Sequence, residues 1–262
     1  MKKFVSLVIC LTLMSVGLWA GVVVESTVTD LSSNQTHPQK MWAQDGLLRM
    51  DVEDPSEDNT SILFLGDRVV FVNHDERSYM EMDEETMREV GAKLSEAQRM
   101  LDQQLKNLPE AQRKQMEKMM KDRMGAMMGD VMEPPRVERA GSGSAAGYDC
   151  TRYDVLRKDE KIVELCAAPS SALEGGQELV ESFHSMTAFM EDFLQSIPQA
   201  SEMAQGYLGA FSEIDGFPVM SRRFQNGRAV EETEIKSIES SSLGGDVFAI
   251  PSGYKKQKMM GR

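Results

Sequence analysis

The chain is poor in the side chains on which most enzyme and metal sites depend. It has three histidines and three cysteines in 262 residues, and only 6% of its residues are aromatic. His37, His74 and His184 have no second histidine or cysteine at ligand spacing, and the sequence contains no H-E-x-x-H segment, C-x-x-C pair or glycine-rich phosphate loop. The glycines of 141–143 lack the strand–turn–helix setting of a nucleophile elbow. We therefore predict a non-enzymatic protein without a cofactor.

Basic charge and long apolar runs are also scarce. The formal net charge is −13. Removing residues 1–20 would take away two lysines and no acidic residue, which lowers the net charge to −15. Nucleic acids and anionic membranes bind basic surfaces, so we expect neither partner. Beyond residue 20 no segment is long and apolar enough for a stable membrane span.

The first twenty residues have the pattern of a secretory signal peptide. A basic start is followed by an apolar run from Phe4 to Leu18 and by a small residue at Ala20. This pattern predicts cleavage after Ala20 and a periplasmic protein secreted through the inner membrane. Leu18 stands where a small residue is preferred, so an uncleaved anchor is the alternative.

Removal of the signal peptide would leave two cysteines, Cys150 and Cys166, which in a secreted chain predict a disulfide. A hairpin that places them directly opposite each other also places Arg152 opposite Glu164. A redox or metal pair is the alternative, and the absence of C-x-x-C and of a nearby histidine disfavours it. The two strands of this hairpin are predicted over residues 148–156 and 160–167.

Short strands separated by turn residues precede and follow the middle of the chain. Asp45-Gly46 and Asn226-Gly227 are strong hairpin signals, and a two-residue turn at the second would place Arg222 opposite Glu231. This pattern is typical of an antiparallel sheet rather than of βαβ units. The predicted strands cover residues 21–30, 40–53, 61–65, 68–73, 78–82, 217–225, 228–239 and 246–250.

Apolar residues at spacings of three and four predict three amphipathic helices. Two lie in a helical insert, 83–133, and are separated at Pro109; a flexible Gly/Ser tether, 134–147, follows the insert. The third helix follows the disulfide hairpin and has a broad apolar face. We predict that this face binds ligand through Phe183, Met186, Met190 and Phe193.

Together these patterns predict one α+β domain over residues 21–262, built on a strongly bent antiparallel sheet with amphipathic helices packed on its concave face. Four stretches resemble secreted bacterial proteins related to the outer-membrane lipoprotein carriers, with the LolA-like fold, and in particular a domain family of unknown function within that group. The stretches are MWAQDGLLRMDV, SILFLGDRVVFVNHDERSYMEMD, GFPVMSRRFQNGRAVEETEIKSI and DVFAIPSGYKKQKM. The resemblance covers the mature chain apart from 83–147. It implies a half-barrel sheet with helices in its hollow and no known reaction.

The fold and the apolar helix faces together predict a periplasmic binding or carrier-like protein that holds an apolar small molecule, a lipid or a partner helix. The alternative is Cu(I) handling, because thioethers are soft ligands. Seven methionines crowd residues 116–132, where a metal site would use one helical stripe. The members of that stripe are Met116, Met120, Met124 and Met127.

Overall fold

The computed structural model describes residues 21–53, 58–106, 109–110, 112, 135–195 and 213–258. The predicted signal peptide, 1–20, lies outside these residues. The methionine stripe proposed for Cu(I), Met116, Met120, Met124 and Met127, lies outside them as well.

The described residues form one curved, unclosed sheet of twelve strands in the order β12-β6-β5-β4-β3-β2-β1-β11-β10-β9-β8-β7. All neighbours are antiparallel except β12, which runs parallel to β6. The strands are β1 Gly21–Asp30, β2 Gln35–Gln44, β3 Leu47–Val52, β4 Thr60–Phe64, β5 Arg68–Asn73, β6 Ser78–Asp83, β7 Arg136–Ala145, β8 Tyr148–Arg157, β9 Glu160–Ala168, β10 Phe217–Gln225, β11 Arg228–Ser241 and β12 Lys255–Lys256.

Within the described residues, the sheet is accompanied by helix α1 over Glu84–Lys106, helix α2 over Gly176–Gln195 and a short 3-10 helix over Ser170–Ala172. The Asp83 carboxylate accepts a hydrogen bond from the backbone N–H of Thr86 at 2.8 Å, so Asp83 caps α1. The same hydrogen bond holds the pKa of Asp83 below its ordinary value. Within the described part of the chain, no helix is long and apolar enough to cross a membrane.

The predicted sheet and hairpins are confirmed in their main features. Strands β1 to β6 form an antiparallel meander, and both hairpin signals occupy two-residue turns. In each turn both residues have positive φ, 54° and 77° at Asp45-Gly46 and 51° and 71° at Asn226-Gly227. These are the dihedrals that favour Asn, Asp and Gly in type I′ turns.

The prediction of a flexible tether at 134–147 is wrong. Most of this segment is strand β7, which pairs with β8 along its length and forms one edge of the sheet. A register shift between Arg139 and Gly141 marks a bulge, and Gly141 has a φ of 110°. Gly141 therefore suits the bulge, because a residue without Cβ can adopt the positive φ found there.

The predicted last strand, 246–250, is wrong as well. This segment is a series of turns, in which the N–H of Val247 donates to the Gly244 carbonyl at 3.0 Å and that of Ala249 to the Asp246 carbonyl at 3.1 Å. Local turn bonds therefore replace the pairing that an extended segment would need.

The predicted register of the disulfide hairpin is also wrong, by two residues. Arg152 lies opposite Cys166, not opposite Glu164. The turn uses only Lys158-Asp159, both with positive φ, and a register shift after Val155 adds a further residue. A shift of two keeps both cysteines on one face, since side chains alternate with a period of two.

Cys150 and Cys166 are joined as predicted. Their Cα atoms are 5.4 Å apart, within the usual range for a disulfide. Because Arg152 is directly opposite Cys166, the bridge runs diagonally from β8 to β9. The predicted disulfide is therefore confirmed, although the predicted register of the hairpin was wrong.

A bulge likewise changes the partner of Arg222. The pairing follows the predicted register from the turn to Phe224, and it shifts by one residue between Arg223 and Phe224. Arg222 then lies opposite Glu232, and Arg223 lies opposite Glu231.

Asp30 organises the turn between β1 and β2. Its Oδ1 accepts hydrogen bonds from the hydroxyl and backbone N–H of Ser32 and from the N–H of Ser33, which lower its pKa to about 2. A carboxyl with a lowered folded-state pKa stabilises the fold at pH values above its unfolded pKa, and this stabilisation is lost as pH falls from about 4 towards 2.

Carbon-detected NMR of Asp30 should show a titration midpoint near 2. A midpoint near the unperturbed value would contradict the turn geometry.

Candidate functional site

Helix α2 lies against one face of the sheet. Leu179 is fully buried, and two aromatic contacts anchor the helix to strands on either side of β1. The ring of Phe183 lies 5.5 Å from that of Phe217 in β10, and the ring of Phe189 lies 5.6 Å from that of Phe64 in β4. These contacts fix α2 across the strands on one face of the curved sheet.

The predicted ligand-binding residues lie on the helix face that meets the sheet. Phe183, Met186 and Met190 are half-buried and pack against the buried cluster under α2. Phe193 belongs to α2, but its side chain lies outside what the structure describes. Sequence reasoning missed Phe189, which contacts the sheet from the same helix.

The sheet face under α2 is arranged in rows that run across the strands. One row is buried along most of its length. It joins Met82, Val69, Phe64, Leu48, Ala43 and Val22 through directly opposed pairs in six adjacent strands. This row forms the floor beneath the helix.

The neighbouring row is apolar but only half-buried. Four strand spacings separate its ends, a length of about 19 Å. Three of its members are thioethers, whose flexible and polarisable side chains adapt to irregular apolar surfaces. The row consists of Met80, Phe71, Ile62, Met50 and Met41, directly opposed in β6 to β2.

The third row bounds the apolar surface with polar groups. The hydroxyl of Ser26 hydrogen-bonds Oε1 of Gln39 at 3.2 Å, and the Gln39 amide lies 3.0 Å from the sulfur of Met50. The face therefore changes from buried apolar to half-buried apolar to polar from one row to the next. The third row contains five polar residues and one apolar residue, in the order Ser78, Asn73, Thr60, Val52, Gln39 and Ser26.

A charged ladder crosses the opposite half of the sheet. Asp154, Glu164, Arg222 and Glu232 are directly opposed in β8 to β11, and Lys161 lies 2.8 Å from Asp154 and 3.3 Å from Glu164. The hydrogen bond to Asp154, followed by the one to Glu164, raises the pKa of Lys161. Because the basic side chains lie between acidic ones, the ladder ties four strands together.

The face of the sheet opposite α2, named the outer face below, carries a connected polar network. The Arg49 guanidinium donates to both oxygens of Asp51, at 2.7 and 2.9 Å. The Ser61 hydroxyl donates to Asp51 Oδ1 at 2.6 Å and lies 2.6 Å from His74 Nε2. The His74 Nδ1 is 3.0 Å from the Tyr254 hydroxyl.

The single hydroxyl proton of Ser61 determines the direction of this network. Because Ser61 donates its only proton to Asp51, its oxygen can only accept from His74 Nε2. This order differs from a catalytic triad, in which the histidine accepts from the serine and the acid holds the histidine. Ser61 is also only 1% exposed. The network therefore links strands β3 and β4 to the segment that carries Tyr254.

Within the described residues, no group of three or more His, Cys, Asp or Glu side chains is arranged to hold a metal ion. His74 is part of the outer network, and His184 is exposed on α2. A cleft of ≈ 600 Å³ lies between the β1–β2 and β10–β11 turns, and none of the predicted ligand-binding residues lines it.

The chain belongs to the family described as Domain of unknown function (DUF4412), which matches residues 99–254. This confirms the expectation of a domain family of unknown function. The comparison with curated proteins gave no match.

Two solved structures show weak likeness over most of the chain. An uncharacterized conserved protein from Thermus thermophilus has 6% identity and a TM-score of 0.46, covering 92% of this chain and 91% of that one. The MucA/MucB complex of Pseudomonas aeruginosa has 8% identity and a TM-score of 0.37, covering 87% of this chain and 55% of that one. Neither therefore indicates a ligand or a reaction for this chain.

Proposed function

We propose that this protein is a periplasmic, non-enzymatic carrier-like protein that holds an apolar ligand in the hollow of its sheet. The observation that carries the proposal is the half-buried row Met80, Phe71, Ile62, Met50 and Met41 beside α2. The row lies between a buried floor and a polar border, an arrangement suited to a ligand with an apolar body and a polar end.

The physical basis of binding would be apolar burial. Each square ångström of apolar surface removed from water contributes about 25 cal/mol. The thioethers can adjust their rotamers to the ligand, which favours breadth of binding over shape selectivity. The row is narrow and about 19 Å long, so it fits an extended acyl chain better than a helix of about 10 Å diameter.

A periplasmic location is supported by the Cys150–Cys166 disulfide, since such bonds persist in oxidising compartments. The LolA-like resemblance of the strand segments supports the carrier role. Native purification of the mature protein followed by mass spectrometry of its organic extract tests the role directly. Recovery of no lipid or acyl chain, together with no binding of an environment-sensitive apolar dye, would exclude it.

Polar substitution in the row should weaken binding without unfolding the protein. Met50 and Met80 lie in the half-buried row, so Met50→Gln with Met80→Gln places two amides where the ligand should displace water. We expect the dissociation constant for the apolar dye to rise about tenfold or more, because a buried amide without a partner is costly. Fluorescence titration measures the change.

Met100→Gln provides the matched control. Met100 is 57% exposed on α1, and the same chemical change there should leave dye binding unaltered. Equal losses in the row and control variants would show that the dye binds elsewhere. Circular dichroism of all three proteins verifies that they remain folded.

A further inference from the structure

The C-terminal segment, residues 246–258, forms a strap over the outer face of the sheet, opposite α2. Ile250 and Tyr254 pack on a small apolar cluster of Leu63, Val70 and Val72. None of the thirteen strap residues is buried, since each is either exposed or half-buried. The strap therefore covers the sheet without being part of its core.

At its end the strap adds a strand to the sheet. Lys255 and Lys256 run parallel to Ser78 and Tyr79 of β6. The Lys255 N–H donates to the Arg77 carbonyl at 3.0 Å, and the Gln257 N–H donates to the Tyr79 carbonyl at 2.8 Å. Main-chain pairing with a sheet edge is how many domains bind extended peptides.

The charges at this edge are complementary. Glu81 contacts the Lys256 ammonium, and Glu76 accepts a hydrogen bond from the Gln257 amide at 3.3 Å. The hydrogen bond to Glu81 raises the pKa of Lys256, with a smaller contribution from Asp83. The edge thus presents acidic side chains to a basic peptide segment.

Two polar contacts set the position of the strap along the sheet. Arg49 Nη1 donates to the Val247 carbonyl at 2.8 Å, and the Tyr254 hydroxyl meets His74 Nδ1 at 3.0 Å. Both partners on the sheet are already ordered by Asp51 and Ser61. Because Arg49 and His74 are already held in place, binding a peptide here costs less conformational entropy.

We propose that the β6 edge and the adjoining outer apolar cluster form a docking site for an extended peptide with an aromatic residue followed by two basic residues. The strap occupies this site in cis as an internal ligand. A partner peptide must displace it, and the loop at 242–245, with its two glycines, provides the hinge.

Peptide exchange tests this proposal on the full chain. A protease site is inserted between Gly244 and Gly245, the folded protein is cut, and a labelled peptide of residues 246–258 is added in excess. We expect the label to replace the cut strap, as measured by fluorescence anisotropy. A Tyr254→Ala peptide should bind at least tenfold more weakly, because it lacks the contacts to His74 and the apolar cluster. Uncut protein should bind at least tenfold more weakly, because the tethered strap competes at high effective concentration.

Two results would overturn the proposal. If the cut strap never leaves under excess peptide, it is a permanent part of the fold. If the strap leaves, the protein stays folded and the label does not bind, the edge is not a docking site. Apolar dye binding in the hollow should be the same before and after cutting, because the strap is on the opposite face.

Discussion

Replacing Phe64 by alanine is expected to lower the free energy of unfolding by about 3–5 kcal/mol. Phe64 is 1% exposed and lies in the buried row beneath α2, where its ring contacts that of Phe189. The substitution would leave a cavity between helix and sheet that rigid strands on both sides cannot close. Urea unfolding followed by circular dichroism measures the loss.

Leu31→Ala is the control for Phe64→Ala. Leu31 is 38% exposed in a turn, so its truncation should change stability by no more than about 0.5 kcal/mol. A double-mutant cycle with Phe189→Ala should give a coupling of about 0.5–1.5 kcal/mol, the range for aromatic pairs. A loss below about 1 kcal/mol for Phe64→Ala, far under the usual cost of such a truncation, would mean that α2 does not pack on this row in solution.

Local turn chemistry made the sheet predictable. Asp45-Gly46 and Asn226-Gly227 need positive φ at two successive residues, a demand that few dipeptides meet. Each turn specified which strands pair and where the pairing starts. The alternation within those strands could also have identified the half-buried row, since Met41 and Met50 are opposed once the first turn is fixed.

Bulges account for the register error at Arg222 and for one of the two residues of error in the disulfide hairpin, and the shorter turn at Lys158-Asp159 accounts for the other. Each bulge adds one residue to one strand, and the shifts after Val155 and Arg223 moved cross-strand partners that had been counted from the turns. The bulge near Gly141 lies in a segment whose Gly/Ser composition is also typical of a linker. The composition does not distinguish these uses, because glycine is depleted in strands and β7 depends on its pairing with β8, the strand that follows it.

The outer network was missed for a related reason. Arg49, Asp51 and Ser61 come from two neighbouring strands, but His74 lies in a turn and Tyr254 is 180 residues further along the chain. No spacing rule joins such positions, so a lone histidine in a turn gave no signal. Only the chain path that brings the strap back across the sheet creates the network.

Reducing the Cys150–Cys166 disulfide is expected to lower the free energy of unfolding by about 2–4 kcal/mol while leaving the protein folded. The bridge spans 16 residues of sequence, and a loop of that size gives about 3 kcal/mol through the lost freedom of the unfolded chain. The sheet keeps its structure because β8 and β9 remain paired along most of their length.

Comparing urea unfolding with and without reductant measures the contribution of the disulfide. The double variant Cys150→Ala with Cys166→Ala is the control, because reductant should not change its stability. Both cysteines are nearly buried, at 6% and 1% exposed, so the reduced wild type separates loss of the bond from loss of the buried sulfurs. Two free thiols in the unfolded, unreduced protein would contradict the bridge. A change below about 1 kcal/mol on reduction would show that it scarcely restricts the unfolded chain.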